Sequence, residues 1–338
     1  MKKLYKPFLV ASLILVYLVI AAGSVVRMTG SGMGCPDWPK CFGYLIPPTE
    51  RAQLDWKPNH RYQNGQVIIV SESLRVAAKD FISKNNYQES NWEPYTKHDY
   101  ALFNPTHTWI EFINRLLGAL AGLATLLLFV SALGRLKSDP IAPIGAFLVV
   151  LGMGFQGWLG KTVVDSNLLP FKITIHMAMA LLIVLLLVYL LSRDQKIQTQ
   201  LLQLKQFKAM ALIALLLSLI QIGMGTQVRQ YVDEQMHRLN LMQASTWLSD
   251  APFLFYIHRS FSLIVFIIHA YWGYLFYKNN TIPLVFKGII VLIGLEIFTG
   301  IWMYYFDFPF SSQPLHLVLA ALLFGAQSFL LFVIKRKS

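Results

Sequence analysis

Eight runs of mostly apolar residues dominate this sequence, at roughly 7–26, 108–133, 141–163, 172–192, 207–229, 253–276, 283–305 and 312–334. A stretch of about 20 such residues is long enough to cross a bilayer as an α-helix. In hydrocarbon every backbone polar group must be satisfied internally, which leaves helices or closed barrels as the only spanning structures. Of the 338 residues, only 27–106 then remain for anything sizeable outside the membrane. Composition agrees. The chain is 55% hydrophobic and 14% charged, against about 25% charged in soluble domains. The expected fold class is an all-α membrane protein with eight transmembrane helices.

The net charge of +12 follows the loops and is not a nucleic-acid signature. With the N-terminus inside, segments 1–7, 134–140, 192–208, 277–287 and 335–338 hold fourteen Lys and Arg. The short outer loops 164–172 and 231–252 hold two, Lys172 and Arg238. This bias is the positive-inside rule and predicts both termini in the cytoplasm. The basic start, Met1-Lys-Lys-Leu-Tyr-Lys, also suits a signal peptide. A retained first helix fits better, since its removal would invert the seven later spans. On this topology Cys35 and Cys41 lie outside, where disulfides persist; a free thiol pair and a redox pair are the other readings. Residues 66–90 show partial helical periodicity and read as one amphipathic surface helix.

An internal repeat runs through the spans. Gly160 precedes His176 by 16 residues, and Gly300 precedes His316 by the same 16. Asn114-Arg115 in the second span matches His258-Arg259 in the sixth, and Val-Val-Arg27 matches Gln-Val-Arg229. The domain reading is therefore two four-helix bundles in parallel repeat. Residues 1–192 form the first half, with a long outer loop at 27–106, and residues 193–338 form the second.

Polar groups inside spans are costly and are functional candidates by default. His258 and His316 each fall a turn or so into a helix entered from outside, hence at similar depth. Two imidazoles facing across an apolar bundle suit bis-histidine haem ligation. Arg259 and Arg229 near the outer surface would pair with the haem propionates. The plainer alternative is that each histidine hydrogen-bonds within the bundle. Zinc fits less well, because no cysteine or carboxylate joins the pair. His269 reads as structural, and His237 as an outer-loop residue.

The first half repeats this arrangement incompletely. His176 matches His316, but Asn114, a poor iron ligand, stands where the second half has His258. A haem there would keep one iron face open. This half also carries Glu111, one turn from Asn114, where the second half has Phe255. A carboxylate in an apolar site can hold or move a proton. An ion pair with Arg115 or His107 is the structural alternative, and His107 could also act as ligand or relay. Gln156, Lys161, Asp165, Gln221 and Gln227 read as groups that satisfy helix ends or buried polar atoms.

With these residues in view, the chain resembles the heme A synthase family. The resemblance rests on Arg27-Met-Thr-Gly-Ser-Gly-Met-Gly-Cys-Pro-Asp-Trp-Pro, Glu111-Phe-Ile-Asn-Arg-Leu-Leu-Gly, Gly160-Lys-Thr-Val-Val-Asp-Ser, His176 and His258-Arg, and covers nearly the whole chain. It implies an eight-helix protein of a bacterial inner or plasma membrane that oxidises the C8 methyl of heme O to a formyl group, giving heme A for a terminal oxidase. It implies haem b between His258 and His316, and substrate heme O near His176 with Glu111 as catalytic carboxylate. Asn114, Arg27, Arg115, Arg229, Arg259 and His107 would surround the two sites, and Cys35 and Cys41 would form an outer disulfide. The chain departs from the family at Asn114, where a histidine is usual. One axial histidine, or substitution by His107, would accommodate that change. The partners admitted are heme O, heme O synthase, cytochrome oxidase assembly factors, a membrane electron donor and a second copy of the chain. Two other functions are a dihaem cytochrome b that relays electrons and a non-catalytic haem carrier.

Overall fold

Eight long helices are present in the computed structural model, which describes residues 2–96, 102–166, 168–193, 204–239, 244–280 and 282–334. They are α1 (Tyr5–Met28), α2 (Pro105–Leu133), α3 (Ile141–Asp165), α4 (Pro170–Arg193), α5 (Leu204–Leu239), α6 (Phe253–Lys278), α7 (Leu284–Tyr305) and α8 (Ser312–Val333). All eight are long and apolar enough to cross a membrane. Each expected span lies inside one helix, or within a residue or two of its end. α5 runs on through position 237, so the backbone there is helical and not loop. Most of segments 192–208 and 335–338, which carry much of the charge bias, lies outside the described residues.

Local chemistry places the helix starts. Pro105 and Pro170 occupy first helical positions, where the missing N–H is no loss and φ is already set. Asn104 caps α2: its side chain accepts the His107 amide at 3.2 Å, three residues into the helix.

The chain packs as two units. One comprises residues 1–21, 121–154 and 177–338; the other comprises 22–120 and 155–176. In the first, small residues of α2 and α3 (Ala132, Ala142, Ala146) admit the Leu and Val side chains of α4, together with Tyr5 and Leu9 of α1 and Phe324 of α8. A second cluster joins Phe207, Trp272, Phe276, Phe286 and Ile289 from α5 to α7.

The other unit corrects the all-α expectation. Residues 61–94 hold five short strands: β1 (Arg61–Tyr62), β2 (Val67–Val70), β3 (Ser73–Ala77), β4 (Phe81–Ile82) and β5 (Trp92–Pro94). β1 pairs with β4, and β2-β3-β5 form an antiparallel sheet with Val67 opposite Val76 and Ala77 opposite Trp92. The expected amphipathic helix over 66–90 is therefore wrong. Val-Ile-Ile-Val is a β-branched run whose stiff side chains suit a pleated surface. Ser71 and Glu72 both take positive φ, the two-residue hairpin turn that matches strand twist. Cys41, Phe42, Leu54, Val67, Ile69 and Leu74 pack with Phe112 of α2, which seats this β-region on the helix.

Candidate haem sites

A packing motif recurs at four helix pairs: a polar side chain over a glycine of the preceding helix. A Cβ placed on Gly225 of α5 would meet His258 Cε1 of α6 at 3.1 Å. On Gly300 of α7 it would meet His316 Cε1 of α8 at 3.8 Å, and on Gly160 of α3 it would meet His176 Cε1 of α4 at 3.4 Å. On Gly23 of α1 it would meet Asn114 Oδ1 of α2 at 3.8 Å. Small residues let helices approach closely; here they also leave the ring or amide room to lie between helices.

The unit that holds α5–α8 contains both His258 and His316. The His258 carbonyl accepts the Gln221 amide at 3.0 Å, and its Nδ1 is buried without a hydrogen-bond partner. His316 Nδ1 is 2.8 Å from Thr299 Oγ1 and 3.1 Å from Glu296 Oε2. That arrangement holds the ring by one nitrogen and leaves Nε2 for a ligand. The Arg259 guanidinium lies 5.6–6.0 Å from the ring centroids of Phe255, Tyr256 and Tyr304. Arg229 pairs with Asp233 at 2.7 Å. His269 is fully buried, with Nδ1 donating to the Val265 carbonyl and Nε2 accepting from Gln327. This arrangement suits a structural histidine.

Glu296 corrects the expectation that this half lacks a carboxylate near its histidines. It is the lone acidic residue in α7, 140 residues after Gln156, the same offset that relates His316 to His176. A single acid in so apolar a span was the signal that could have found it.

In the other unit, Glu111 is 3% exposed. Its Oε2 accepts the Cys35 amide at 2.8 Å, and Oε1 pairs with the Arg115 guanidinium. Arg115 also donates to the carbonyls of Asp37 (2.6 Å), Lys40 (2.9 Å) and Cys35 (3.1 Å). The ion pair expected as the structural alternative thus exists, and it grips the loop closed by the Cys35–Cys41 disulfide. Thr108 Oγ1 donates to the Gly34 carbonyl at 2.8 Å. Gly34 is required there, since a Cβ would fall 2.5 Å from the His107 carbonyl oxygen. Asp37 accepts the amides of Phe42 and Gly43. Burial pushes its carboxyl above the usual range, opposed by those amides and by Arg115.

His176 is a partly buried ring whose Nδ1 has no partner, and its carbonyl accepts the Gln156 amide at 3.1 Å. Asn114 Oδ1 is likewise buried and unpartnered. His107 lies in the first turn of α2, one turn before Glu111. Arg27 ends α1. Lys161 pairs with Asp165 at 2.6 Å. The imidazole rings of His176, His258 and His316, each over a glycine, suit ligation of a haem. The donor set fits that group better than a bare ion held by acids.

The sequence pattern of the COX15-CtaA family, described as cytochrome oxidase assembly protein, matches residues 6–83 and 69–328. The heme A synthase of Shewanella oneidensis is 26% identical over 216 residues, 63% of this chain and 53% of that protein, so the match spans about half its length. The heme A synthase of Flavobacterium johnsoniae is 22% identical over 358 residues, 96% of each chain. That of Rickettsia prowazekii is 23% identical over 367 residues, 99% of each. No solved structure matches the chain.

Proposed function

Because the chain belongs to the COX15-CtaA family of cytochrome oxidase assembly proteins, we propose that it is a heme A synthase, a multi-pass membrane oxidoreductase acting on heme O. The observation that carries this reading is a buried carboxylate, Glu111, on the same unit as a histidine with a free ring nitrogen, His176. Converting the C8 methyl of heme O to a formyl group is a four-electron oxidation that removes two hydrogens and adds one oxygen. Protons and electrons must therefore both leave the reacting carbon.

His176 binds the substrate iron from one side. Asn114, at the place of the second axial histidine, leaves the opposite face open. Glu111 accepts or returns a proton near the substrate, held in place by the Cys35 amide and Arg115. His107 is the substitute ligand or relay one turn away. Arg27 and Arg115 supply positive charge within this unit, and Arg229 and Arg259 within the unit that holds α5–α8. Haem b bound between His258 and His316 would supply reversible one-electron transfer. His258 keeps its place over Gly225, and His316 is oriented by Thr299 and Glu296.

The two halves are read as a parallel repeat with both termini in the cytoplasm of a bacterial inner membrane. The four electrons taken from the methyl carbon pass to an acceptor, dioxygen or a membrane redox partner, and heme O synthase and oxidase assembly factors are the neighbours that fit. The test is pigment extraction from cells that make heme O, with and without this chain. A heme A peak that appears only with the chain supports the reading. Unchanged heme O, with a reducible dihaem spectrum in the purified chain, supports an electron relay instead.

A further inference from the structure

Residues 34–44 form an irregular loop held against α2 well below the start of that helix. At about 1.5 Å per residue, the 29 residues of α2 extend about 43 Å, against a hydrocarbon layer of about 30 Å. Centred on that layer, α2 enters it about four residues after Pro105, before Glu111 and Arg115 are reached. Those two side chains bind the loop: Glu111 takes the Cys35 amide, and Arg115 donates to the carbonyls of Cys35, Asp37 and Lys40. At the same level of α2, Ile113, Leu116 and Leu120 are exposed at spacings of three and four residues, a row that faces lipid in a spanning helix.

The loop is also bonded as a segment without access to water has to be. The Gly34 carbonyl accepts from Thr108 Oγ1, the Pro36 carbonyl from the Tyr95 hydroxyl, and the Phe42 carbonyl from the Val67 amide. The amides of Phe42 and Gly43 go to the Asp37 carboxylate, and Cys41 and Tyr44 exchange both backbone bonds. Pro36 and Pro39 bring no N–H to satisfy. What the loop turns outward is apolar: Trp38 and Pro39 are exposed, and just beyond them so are Leu45, at 77%, and Ile46, at 71%.

We infer that this disulfide-closed loop is a re-entrant cap seated in the bilayer at the N-terminal end of α2, with Trp38, Leu45 and Ile46 in contact with phospholipid. The apolar tip continues the lipid-facing row of α2, because Arg115 fixes the loop at the level of Ile113 and Leu116. Tryptophan is a side chain that favours the boundary between hydrocarbon and headgroups. Irregular backbone survives at that depth when protein groups take up its polar atoms, and the Arg115 fork, the Asp37 carboxylate, Thr108 and Tyr95 do so here. The inference depends on α2 crossing a bilayer and is independent of haem chemistry.

The test places a nitroxide on the full chain, reconstituted in phosphatidylcholine vesicles, through Ile46→Cys. Leu120→Cys serves as the lipid reference, and Ser73→Cys, exposed at the start of β3, as the water reference. Relaxation is measured against dissolved oxygen, which concentrates in hydrocarbon, and against a water-soluble nickel chelate. The expected ratio of oxygen to nickel collisions at position 46 matches that at position 120 and is several-fold above that at position 73. A ratio equal to that at position 73 puts the loop in water and overturns the inference. Exclusion of both reagents means that protein covers the tip, a second copy or another chain, and overturns it too. Should the new thiol disturb the Cys35–Cys41 disulfide, Trp38→Phe decides without a cysteine. The fluorescence lost with Trp38 should be quenched by phosphatidylcholine brominated on its acyl chains, and the same fractional quenching in wild type and Trp38→Phe, with the missing signal insensitive to bromine, refutes the lipid contact.

Discussion

Replacing Gly225 by alanine tests the most demanding contact in the proposed haem sites. The added methyl would sit 3.1 Å from His258 Cε1 and 3.7 Å from Nε2, closer than a relaxed carbon contact of about 3.5–4.0 Å. The ring must yield by a few tenths of an ångström. A free imidazole can do so; one anchored on iron and covered by α5 cannot. Overpacking of this kind costs about 1–3 kcal/mol, offset by up to about 1 kcal/mol of helix propensity gained at the glycine. With the full offset the net cost is about 0–2 kcal/mol, so haem retention should fall by up to roughly 30-fold, since 1.4 kcal/mol is tenfold in affinity. The control is Gly300→Ala, where the same methyl would stand 3.8 Å from His316 Cε1, an ordinary contact, so that variant should keep its haem. The assay is the haem-to-protein ratio of the purified full chain during competition with a haem scavenger such as apomyoglobin. Equal retention in the two variants, and in the bulkier Gly225→Val, would mean that His258 does not bear on the iron.

The remaining predictions concern the outer loop and its anchor. Glu111→Gln should leave the second-half haem spectrum intact and abolish heme A formation; heme A output at the wild-type level removes Glu111 from the mechanism. Arg115→Ala strands Glu111 and frees three loop carbonyls, and breaking a buried pair from one side costs about 3–5 kcal/mol. Residues 44–96 should then become protease-sensitive well below the wild-type melting temperature. Arg115→Lys should not restore resistance, because one ammonium cannot reproduce the planar fork; full resistance in the lysine variant contradicts the clamp. Asp37 predicts a pH slope. Its carboxyl is raised on folding, so its favourable contribution is complete below the ordinary carboxylate value of about 4. That contribution is lost as pH rises through the raised folded value. Thermal stability of the loop should decline across that window in the wild type and be flatter in Asp37→Asn; identical slopes refute the assignment.

The spans were legible because hydrocarbon admits so few solutions. A long apolar run has to become a helix, and Pro105, Pro170 and Asn104 mark its start by local chemistry alone. The spacing of Gly160 from His176 and of Gly300 from His316 was also readable, and the structure shows its purpose: each glycine makes room for the ring. The β-region was misread because Val67–Val70 and the following Leu74, Val76 and Ala77 fit a helical stripe almost as well as a strand. The hairpin is decided by positive φ at Ser71 and Glu72, neither a typical residue for that conformation. Glu296 is not legible from the pairing of α2 with α6, because it belongs to neither helix. The second-half acid comes from α7, not from the helix that matches α2. The Glu111–Arg115 pair is the structural alternative that the sequence offers for Glu111, but its use as a clamp on the Cys35–Cys41 loop depends on contacts across more than 70 residues of chain.

The β2–β3 hairpin turns at Ser71 and Glu72, both exposed, on a β-region whose seat on α2 lies elsewhere, at Phe112. Short foreign peptides are best accepted where the backbone is unburied and unbonded. An epitope spliced between those two residues would therefore act as a flag for sidedness: antibody staining of whole cells against lysed ones would report which compartment the sheet occupies, and with it the orientation of all eight helices.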